Sequence, residues 1–181
     1  MGKFIAIEGG DGSGKGTQST LLVEALRKQG YDVFEADFPR YGQESAYYVE
    51  RYLNGDYGSA DAVPADLGVL PYALDRFAAK SAIAAHLKKP KSIVISNRYM
   101  ASNLAHQGAK VIDQAKRHAF YERTKLTEYD ILGIPRPDIN IVLLVPTDIA
   151  QANVDKKAAR DYTDKKRDIH EADIDHLNCA K

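Results

Sequence analysis

A glycine-rich segment near the N-terminus constrains the fold of this chain more than any other feature. Five glycines fall within the eight residues from Gly9 to Gly16. The apolar run Phe4–Ile7, followed by Glu8, predicts a buried strand before them. Apolar residues at helical spacing predict a helix over Thr17–Gln29 after them, closed by a further glycine. A strand, a glycine loop and a helix in this order are typical of a phosphate-binding site.

The chemistry of this loop suits phosphate groups. Glycines permit positive φ, so backbone N–H groups converge at a helix N-terminus whose dipole favours an anion. The spacing Gly9-x4-Gly14-Lys15 fits G-x-x-x-x-G-K, and the lysine adds a mobile positive charge. Gly16 stands where a metal-binding Ser or Thr is usual, and Thr17 follows one place later. The glycine spacing, the lysine and the flanking strand and helix all indicate a phosphate site, so an ordinary glycine-rich turn is disfavoured. The predicted phosphate-binding residues are Gly9, Gly10, Asp11, Gly12, Ser13, Gly14, Lys15, Gly16 and Thr17.

Composition bounds the class of protein. The chain has 181 residues, enough for one compact domain over 1–181, and its 25 basic residues balance 25 acidic ones. With this balance the chain has no excess positive charge of the kind that binds a long nucleic acid. The single cysteine, Cys179, excludes an internal disulfide, and neither a signal-peptide pattern nor an apolar run of ~18 residues occurs. We therefore expect a cytoplasmic protein with no nucleic-acid or membrane partner.

A second strand is predicted over Tyr31–Phe38, with the turn Phe38–Gly42 at its carboxyl end. Ligands of open α/β sheets bind at this edge, so Arg40 in the turn could reach the same site as Lys15. A solvated arginine is an equally good interpretation of the local pattern. Tyr47–Leu53 then predicts a short helix, followed by a loop.

A long helix is predicted over Asp66–Lys89, with Pro71 either kinking it or lying near its start. One face carries four residues at i, i+3, i+4 and i+7: Tyr72, Asp75, Arg76 and Ala79. Tyr72 and Arg76 together suit a nucleobase, because they offer an aromatic platform and a planar donor. A core tyrosine beside an Asp75–Arg76 surface pair is the alternative, and this pattern does not separate the two.

A third buried strand, around Ile93–Ile95, ends in Asn97, Arg98 and Tyr99. P-loop proteins usually place an aspartate at this point to hold the water shell of magnesium, whereas Asn97 carries no charge. The helix predicted next carries polar side chains at helical spacing: Ser102, Asn103, His106 and Gln107. A single histidine on a helix is more often structural than catalytic, so His106 is disfavoured as an acid or base, and a sugar contact stays open.

The second half of the chain completes the predicted fold. Val111–Leu132 predicts a helical stretch, Asp138–Val145 a fourth buried strand, and Thr147 the N-cap of a further helix. Four buried strands alternating with helices predict a mainly parallel sheet covered on both faces, a three-layer α/β/α P-loop fold. The basic segment Lys156–Arg167 predicts a lid, at about 155–168, that closes on phosphates, with a solvated helix as the alternative.

In their order these motifs resemble the thymidylate kinase family of P-loop nucleoside monophosphate kinases. The resemblance runs from Lys3 to about Leu177 and rests on five segments: Asp11-Gly12-Ser13-Gly14-Lys15, Phe38-Pro39-Arg40-Tyr41-Gly42, Tyr72-Ala73-Leu74-Asp75-Arg76, Arg98-Tyr99 and Ala101-Ser102-Asn103. It implies that ATP phosphorylates dTMP to dTDP, with magnesium as cofactor, in a homodimer. The alternatives are another nucleoside monophosphate kinase, such as an adenylate kinase, and a nucleotide-binding protein without turnover.

The resemblance also implies individual roles. Lys15 grips the donor phosphates, and Asp11 lies near the acceptor sugar and the phosphoryl groups. The implied dTMP-binding residues are Arg40 and Arg98 at the acceptor phosphate, Tyr72 stacked on thymine, Arg76 and Asn103 on the base edge with Gln107 nearby, His106 beside the 2′ position, and Phe38 and Ser102. Because Gly12 leaves the loop without an arginine, the lid has to supply charge near the transferring group, from Arg160 first or Arg167 second. The implied catalytic residues are Lys15, Asp11, Arg98 and Arg160.

The sequence departs from the family pattern in three places. Gly16-Thr17 is more like adenylate kinase, and Asn97 replaces the usual aspartate. We therefore expect magnesium to be held mainly through ATP and water, without a direct protein ligand. The family usually continues with a fifth strand and a C-terminal helix, which we expect this chain to lack.

Overall fold

The sheet of this chain is parallel throughout the residues described. The computed structural model describes residues 2–155. Its strands are β1 Lys3–Gly9, β2 Asp32–Asp37, β3 Ser92–Asn97 and β4 Ile139–Leu143. They lie side by side in the order β2-β3-β1-β4. The predicted mainly parallel sheet is therefore confirmed.

Helices follow the strands as an α/β alternation requires. They are α1 Lys15–Lys28, α2 Tyr47–Asn54, α3 Ala65–Gly68, α4 Leu70–Leu87, α5 Met100–Gly108, α6 Gln114–Lys125 and α7 Thr147–Asp155, with a 3₁₀ turn at Glu44–Ala46 and a π-helical segment at Leu126–Ile131. The single long helix predicted after residue 66 is divided at Val69. Pro71 lies in the first turn of α4, where its missing N–H has no helical partner to lose.

Both faces of the central strands are covered. Phe4 and Val94 pack on one face with Ile83 of α4. Ile7 and its neighbours on β3 pack on the other face with Val23 of α1. Because the side chains of a strand alternate between faces, β1 and β3 read as almost continuous apolar runs.

The fourth strand is not buried, contrary to the sequence prediction. The exposed fractions of Ile139, Ile141 and Val142 are 47, 39 and 55%. The sheet order explains this difference, because within residues 2–155 β4 pairs only with β1 and lies at the sheet edge. An apolar run predicts a strand but does not say whether that strand is central, so coverage of both faces holds for β1 and β3 and not for β4.

The described part of the chain ends within reach of the phosphate loop. α7 spans Thr147–Asp155, so Thr147 is its first helical residue and not the N-cap that the sequence predicted. Apart from Asp155 itself, the predicted lid lies outside the described residues, together with Arg160, Arg167 and Cys179. Among residues 2–155, no helix combines the length and the apolar character needed to cross a lipid bilayer.

Candidate active site

The glycine loop leaves β1 and enters α1 as predicted, with three of its glycines at positive φ. These are Gly9 at 145°, Gly12 at 76° and Gly14 at 86°. A Cβ atom on Gly12 would collide with the backbone of Ala150 in α7, and one on Gly9 would lie 2.6 Å from the carbonyl oxygen of Leu143. Both positions therefore need glycine for two independent reasons, conformation and close approach.

The side chain of Lys15 lies over this loop and is only 6% exposed. Its Nζ donates a hydrogen bond to the carbonyl oxygen of Gly10 at 2.7 Å and lies 4.0 Å from Oδ1 of Asp11. Gly16 and Thr17, in the first turn of α1, are exposed. The ammonium group is thus held within the loop, at the position a phosphate-binding lysine requires.

Arg98 connects the end of β3 to the loop. Its Nη2 donates to Oδ1 of Asp11, and its Nη1 donates to the carbonyl oxygen of Gly9 at 3.3 Å and to Oγ of Ser102 at 3.2 Å. Its φ of 62° is the left-handed conformation, which costs a non-glycine residue about 1–3 kcal/mol. Burial opposes the charged form, but the carboxylate of Asp11 outweighs it and raises the pKa of Arg98. Arg98 is thus a fixed cation beside the loop.

Glu8 fixes the helix that carries Ser102, a role that the sequence analysis missed. Its carboxylate is 2% exposed and accepts hydrogen bonds from the backbone N–H groups of Ala101 and Ser102, each at 3.2 Å, and from Oγ of Ser102 at 2.5 Å. These contacts satisfy the free N–H groups at the start of α5. In the sequence, the sign of this role was an acidic residue at the end of a predicted buried strand.

Arg40 is held by Asp75 of α4, and only the fold brings the two together. The carboxylate of Asp75, 1% exposed, accepts from Nε and from the backbone N–H of Arg40 at 3.0 and 2.8 Å. Nη2 of Arg40 donates to Oγ of Ser45 and to the carbonyl oxygen of Asp75. Among the described residues Nη1 of Arg40 makes no hydrogen bond, so it is the group left to meet a ligand. The solvated-arginine alternative does not hold.

Arg76 is paired with Glu128 and not with Asp75, so the alternative of an Asp75–Arg76 surface pair does not hold. Nε and Nη2 of Arg76 donate to the two carboxylate oxygens of Glu128 at 2.7 and 2.6 Å. Both side chains are nearly fully buried, at 2% and 1% exposure. Glu128 lies in the π-helical segment near the end of the stretch Val111–Leu132, which the sequence predicted to be helical. No local pattern in the sequence indicated this role of Glu128.

The rings of Phe38 and Tyr99 pack together, and each lies near one arginine, Arg40 or Arg76. The ring of Phe38, only 3% exposed, meets Tyr99 edge to face at 5.6 Å. The guanidinium carbon of Arg40 lies 5.9 Å from the Phe38 ring, and that of Arg76 lies 5.7 Å from the Tyr99 ring. Tyr72 is half-buried against a small core group, with its ring 6.2 Å from Tyr52. The structure thus places Phe38 inside the core and leaves part of Tyr72 open.

The polar side chains of α5 divide into two environments. Asn103 donates through Nδ2 to the carbonyl oxygen of Val69 at 3.2 Å, and its buried Oδ1 accepts no hydrogen bond from the described residues. Gln107 has no exposed surface, and its Nε2 donates to the hydroxyl of Tyr52 at 3.1 Å. That hydroxyl also accepts from Lys110, whose pKa burial lowers to about 8. Gln107 thus lies in the packing behind the site, and His106 is half-buried on the same helix.

The fold therefore brings most of the predicted residues to one region. The phosphate loop contacts Arg98 directly and is linked to Ser102 through Arg98. Tyr99, next to Arg98, contacts Phe38 and Arg76, and Arg40 follows Phe38. Within residues 2–155 no group of three or more His, Cys, Asp or Glu is placed to hold a metal ion. Chemically, the region offers a phosphate cradle beside two fixed guanidinium groups, which suits two anionic ligands next to each other.

Three comparisons identify proteins similar to this chain. The family model described as thymidylate kinase matches residues 7–174. A thymidylate kinase from Mycobacterium tuberculosis is 36% identical over 175 residues, which cover 95% of this chain and 79% of that protein. A probable thymidylate kinase from Pyrococcus abyssi is 32% identical over 146 residues, which cover 80% of this chain and 66% of that protein.

A solved structure shares the fold. The structure of thymidylate kinase from Candida albicans superposes with a TM-score of 0.66, over 99% of this chain and 74% of that one. At 20% sequence identity this likeness shows the architecture alone. It agrees with the three-layer α/β/α P-loop fold that the strand order and the loop indicate.

Proposed function

The chain belongs to the thymidylate kinase family, and on this premise we propose that it transfers the γ-phosphoryl group of ATP to dTMP, giving dTDP and ADP. Among this chain's own residues, the contact of Arg98 with Asp11 gives the main support for this proposal. It joins the phosphate loop to the end of β3 and, through Ser102, to α5. Donor and acceptor phosphates would then meet at one edge of the sheet, where ligands of open parallel sheets bind.

Catalysis in this proposal is mainly positioning and charge stabilisation. The loop N–H groups and Lys15 hold the donor phosphates, and Asp11 orients Arg98 towards the acceptor phosphate. Arg40, held by Asp75, presents Nη1 to the same phosphate. These groups are fixed before the substrates bind, so little reorganisation is needed when charge spreads in the transition state.

Recognition of the base is assigned to residues between α4 and α5. We assign thymine stacking to Tyr72, hydrogen bonds on the base edge to Arg76 and Asn103, and a sugar contact to His106. The buried Oδ1 of Asn103 is an acceptor in need of a donor, and thymine offers its N3–H. Gln107 is proposed to support this region from behind, because its amide bonds to Tyr52.

ATP with magnesium is the proposed donor, and the cytoplasm is the proposed compartment. Gly16 and Asn97 offer no carboxylate or hydroxyl ligand at the two usual positions, which supports a metal held through ATP and water. When bound, magnesium neutralises phosphate charge. A chain with one cysteine suits a reducing compartment.

A coupled assay of ADP release tests the function. The chain is incubated with ATP and, in separate reactions, with dTMP, dUMP, AMP or no acceptor. The expected result is turnover with dTMP well above all other reactions. A higher rate with AMP would favour the adenylate kinase alternative, and ATP binding without turnover on any acceptor would favour a nucleotide-binding protein.

Lys15→Ala is expected to lower kcat by about 10² or more, on the scale of a lost preorganised charge. The side chain already lies within the loop, so its removal leaves the backbone cradle in place. Lys28→Ala, at the exposed far end of the same helix, is the matched control and should turn over like the parent chain. Near-normal turnover of Lys15→Ala in steady-state kinetics would contradict the proposed role of the loop.

Arg40→Lys is expected to raise the KM for dTMP about tenfold, in line with the loss of one charge-assisted hydrogen bond. An ammonium group bound by Asp75 has no second arm for a phosphate, whereas the guanidinium of Arg40 has Nη1. The KM for ATP should change less than about twofold on the same reasoning. The exposed Arg123, paired with Asp66, supplies the control variant Arg123→Lys. Equal effects on both KM values would remove Arg40 from the acceptor site.

A homodimer is proposed from an apolar stripe on α3 and α4. Its members follow a 3-4-3 spacing and are 57, 41, 48 and 44% exposed: Leu67, Leu70, Leu74 and Phe77. Exposed apolar patches of this kind mark protein contacts, and a helical stripe can pack on its own copy. Analytical ultracentrifugation should show a dimer that Leu74→Glu converts to monomer, while Leu21→Glu on the exposed face of α1 does not. A monomeric parent chain at tens of micromolar would contradict this proposal.

A further inference from the structure

Asp37 and Asn97 end two neighbouring strands at the edge where the phosphate loop lies. Asp37, Asn97 and Ile7 are in register across β2, β3 and β1. Residues in register on parallel strands share a face, and Ile7 packs with Val23 of α1. Asp37 and Asn97 are therefore on the α1 side of the sheet, at the edge where α1 begins with its first turn.

The two side chains contact each other in one defined orientation. Nδ2 of Asn97 donates a hydrogen bond to Oδ1 of Asp37 at 2.9 Å. Only the amide nitrogen can donate to a carboxylate, so this contact sets which way the Asn97 amide points. Oδ1 of Asn97 is buried and accepts no hydrogen bond from the described residues. The position before Arg98 thus carries an amide that aligns a carboxylate from the next strand.

A purely structural role does not account for this arrangement. Asp37 is exposed, and a hydrogen bond to an exposed carboxylate contributes little to stability. A buried acceptor without a donor costs free energy and calls for a ligand or water as its partner. Both groups are oxygen ligands of the kind that magnesium and its water shell prefer.

The pair fits magnesium brought in by a nucleotide. Magnesium in phosphoryl-transfer sites keeps several waters and takes one or two carboxylates together with substrate phosphates. The carboxylate absent at position 97 is present at position 37, one strand away and in register.

We propose that Asp37 supplies the negative charge that holds the water shell of nucleotide-bound magnesium, and that Asn97 is its positioning residue. The inference rests on the proposed nucleotide kinase function. In this proposal the carboxylate of the metal site is on β2 and not on β3, and it belongs to the residue that pairs with Asn97. Asp37 accepts hydrogen bonds from metal-bound water, and Oδ1 of Asn97 accepts another.

The test measures how much magnesium strengthens nucleotide binding in the absence of turnover. The affinity for a non-hydrolysable ATP analogue is measured by isothermal titration calorimetry with saturating magnesium and with EDTA, and the ratio of the two Kd values is compared. Asp37→Asn should reduce this ratio about tenfold, the loss expected for one charge-assisted contact. The Kd in EDTA should stay the same or tighten, because a charge that repels the phosphates is removed.

A charge swap separates the metal role from a structural one. The double variant Asp37→Asn with Asn97→Asp places the carboxylate on β3, and it should restore the ratio to within about threefold of the parent chain, since the same pair keeps one charge. Asn97→Ala should reduce the ratio less than Asp37→Asn does. Asp66→Asn, an equal charge change on an exposed residue, should alter neither Kd.

Three results would overturn the proposal. An unchanged ratio in Asp37→Asn would remove the metal role, and equal weakening with magnesium and with EDTA would assign Asp37 to the fold or to the nucleotide itself. A double variant no better than Asp37→Asn would show that position 97 cannot carry the same charge. If the parent chain binds the analogue neither with magnesium nor with EDTA, the proposed function fails, and this inference fails with it.

Discussion

Glu128→Gln is expected to lower the free energy of unfolding by about 3 kcal/mol or more, the range for breaking a buried ion pair. The substitution keeps the size of the side chain and removes its charge, so no cavity is opened. Arg76 would keep its charge at 2% exposure without a counter-charge. Urea unfolding of the purified chain measures the change. Glu122→Gln, in an exposed pair with Lys125, is the control and should leave the unfolding midpoint unchanged.

The double variant Arg76→Met with Glu128→Leu separates stability from recognition. Replacing both partners of a buried pair by apolar residues of similar volume is often neutral or stabilising. The double variant should therefore unfold at or above the parent midpoint and still show a raised KM for dTMP, because Arg76 is proposed to form a hydrogen bond with the base edge. A Glu128→Gln chain as stable as the parent would show that this pair does not carry stability.

Arg160→Ala is expected to lower kcat by about 10³ or more, the scale of an arginine finger in phosphoryl transfer. Arg160 lies outside the described residues, but it follows α7 in the sequence, and α7 contacts the loop. Nδ2 of Asn153 donates to the carbonyl oxygen of Gly12 at 2.8 Å, and Ala150 packs on the same glycine. Arg160 follows Asp155 by five residues, so it can be at most about 18 Å from the end of α7.

The kinetic pattern of this variant matters as much as its size. A charge that acts on the transferring group changes kcat far more than the affinities for ATP and dTMP, which are measured separately. Arg160→Lys should recover only part of the rate, since an ammonium cannot bridge two oxygens as a planar guanidinium does. If Arg167→Ala loses the rate and Arg160→Ala does not, the lid is retained with a different residue. If neither loses it, the lid proposal fails.

Local sequence determined the parts of this protein whose physics is local. The glycine loop required a strand before it and a helix after it, and β1 and α1 lie there. Positive φ at Gly9, Gly12 and Gly14 follows from the absence of a side chain, so the phosphate cradle was predictable before any fold was known. Alternation of apolar strands with helices likewise determined the parallel sheet. The positions of Arg40 and Arg98, which we propose as ligand contacts, followed from the predicted strand ends.

Only the tertiary structure decided the partners of these side chains. Asp75 lies 35 residues from Arg40, and Glu128 lies 52 residues from Arg76, so no local spacing joins either pair. Within residues 2–155 the strand order placed β4 at the edge and exposed a run that is apolar enough for the core. It also placed Asp37 next to Asn97, although the two are 60 residues apart in the sequence. The position that lacks the usual aspartate thus lies beside a carboxylate from another strand. The physical reason is that propensity and periodicity act over a few residues, whereas pairing of buried charges depends on register and packing between distant segments.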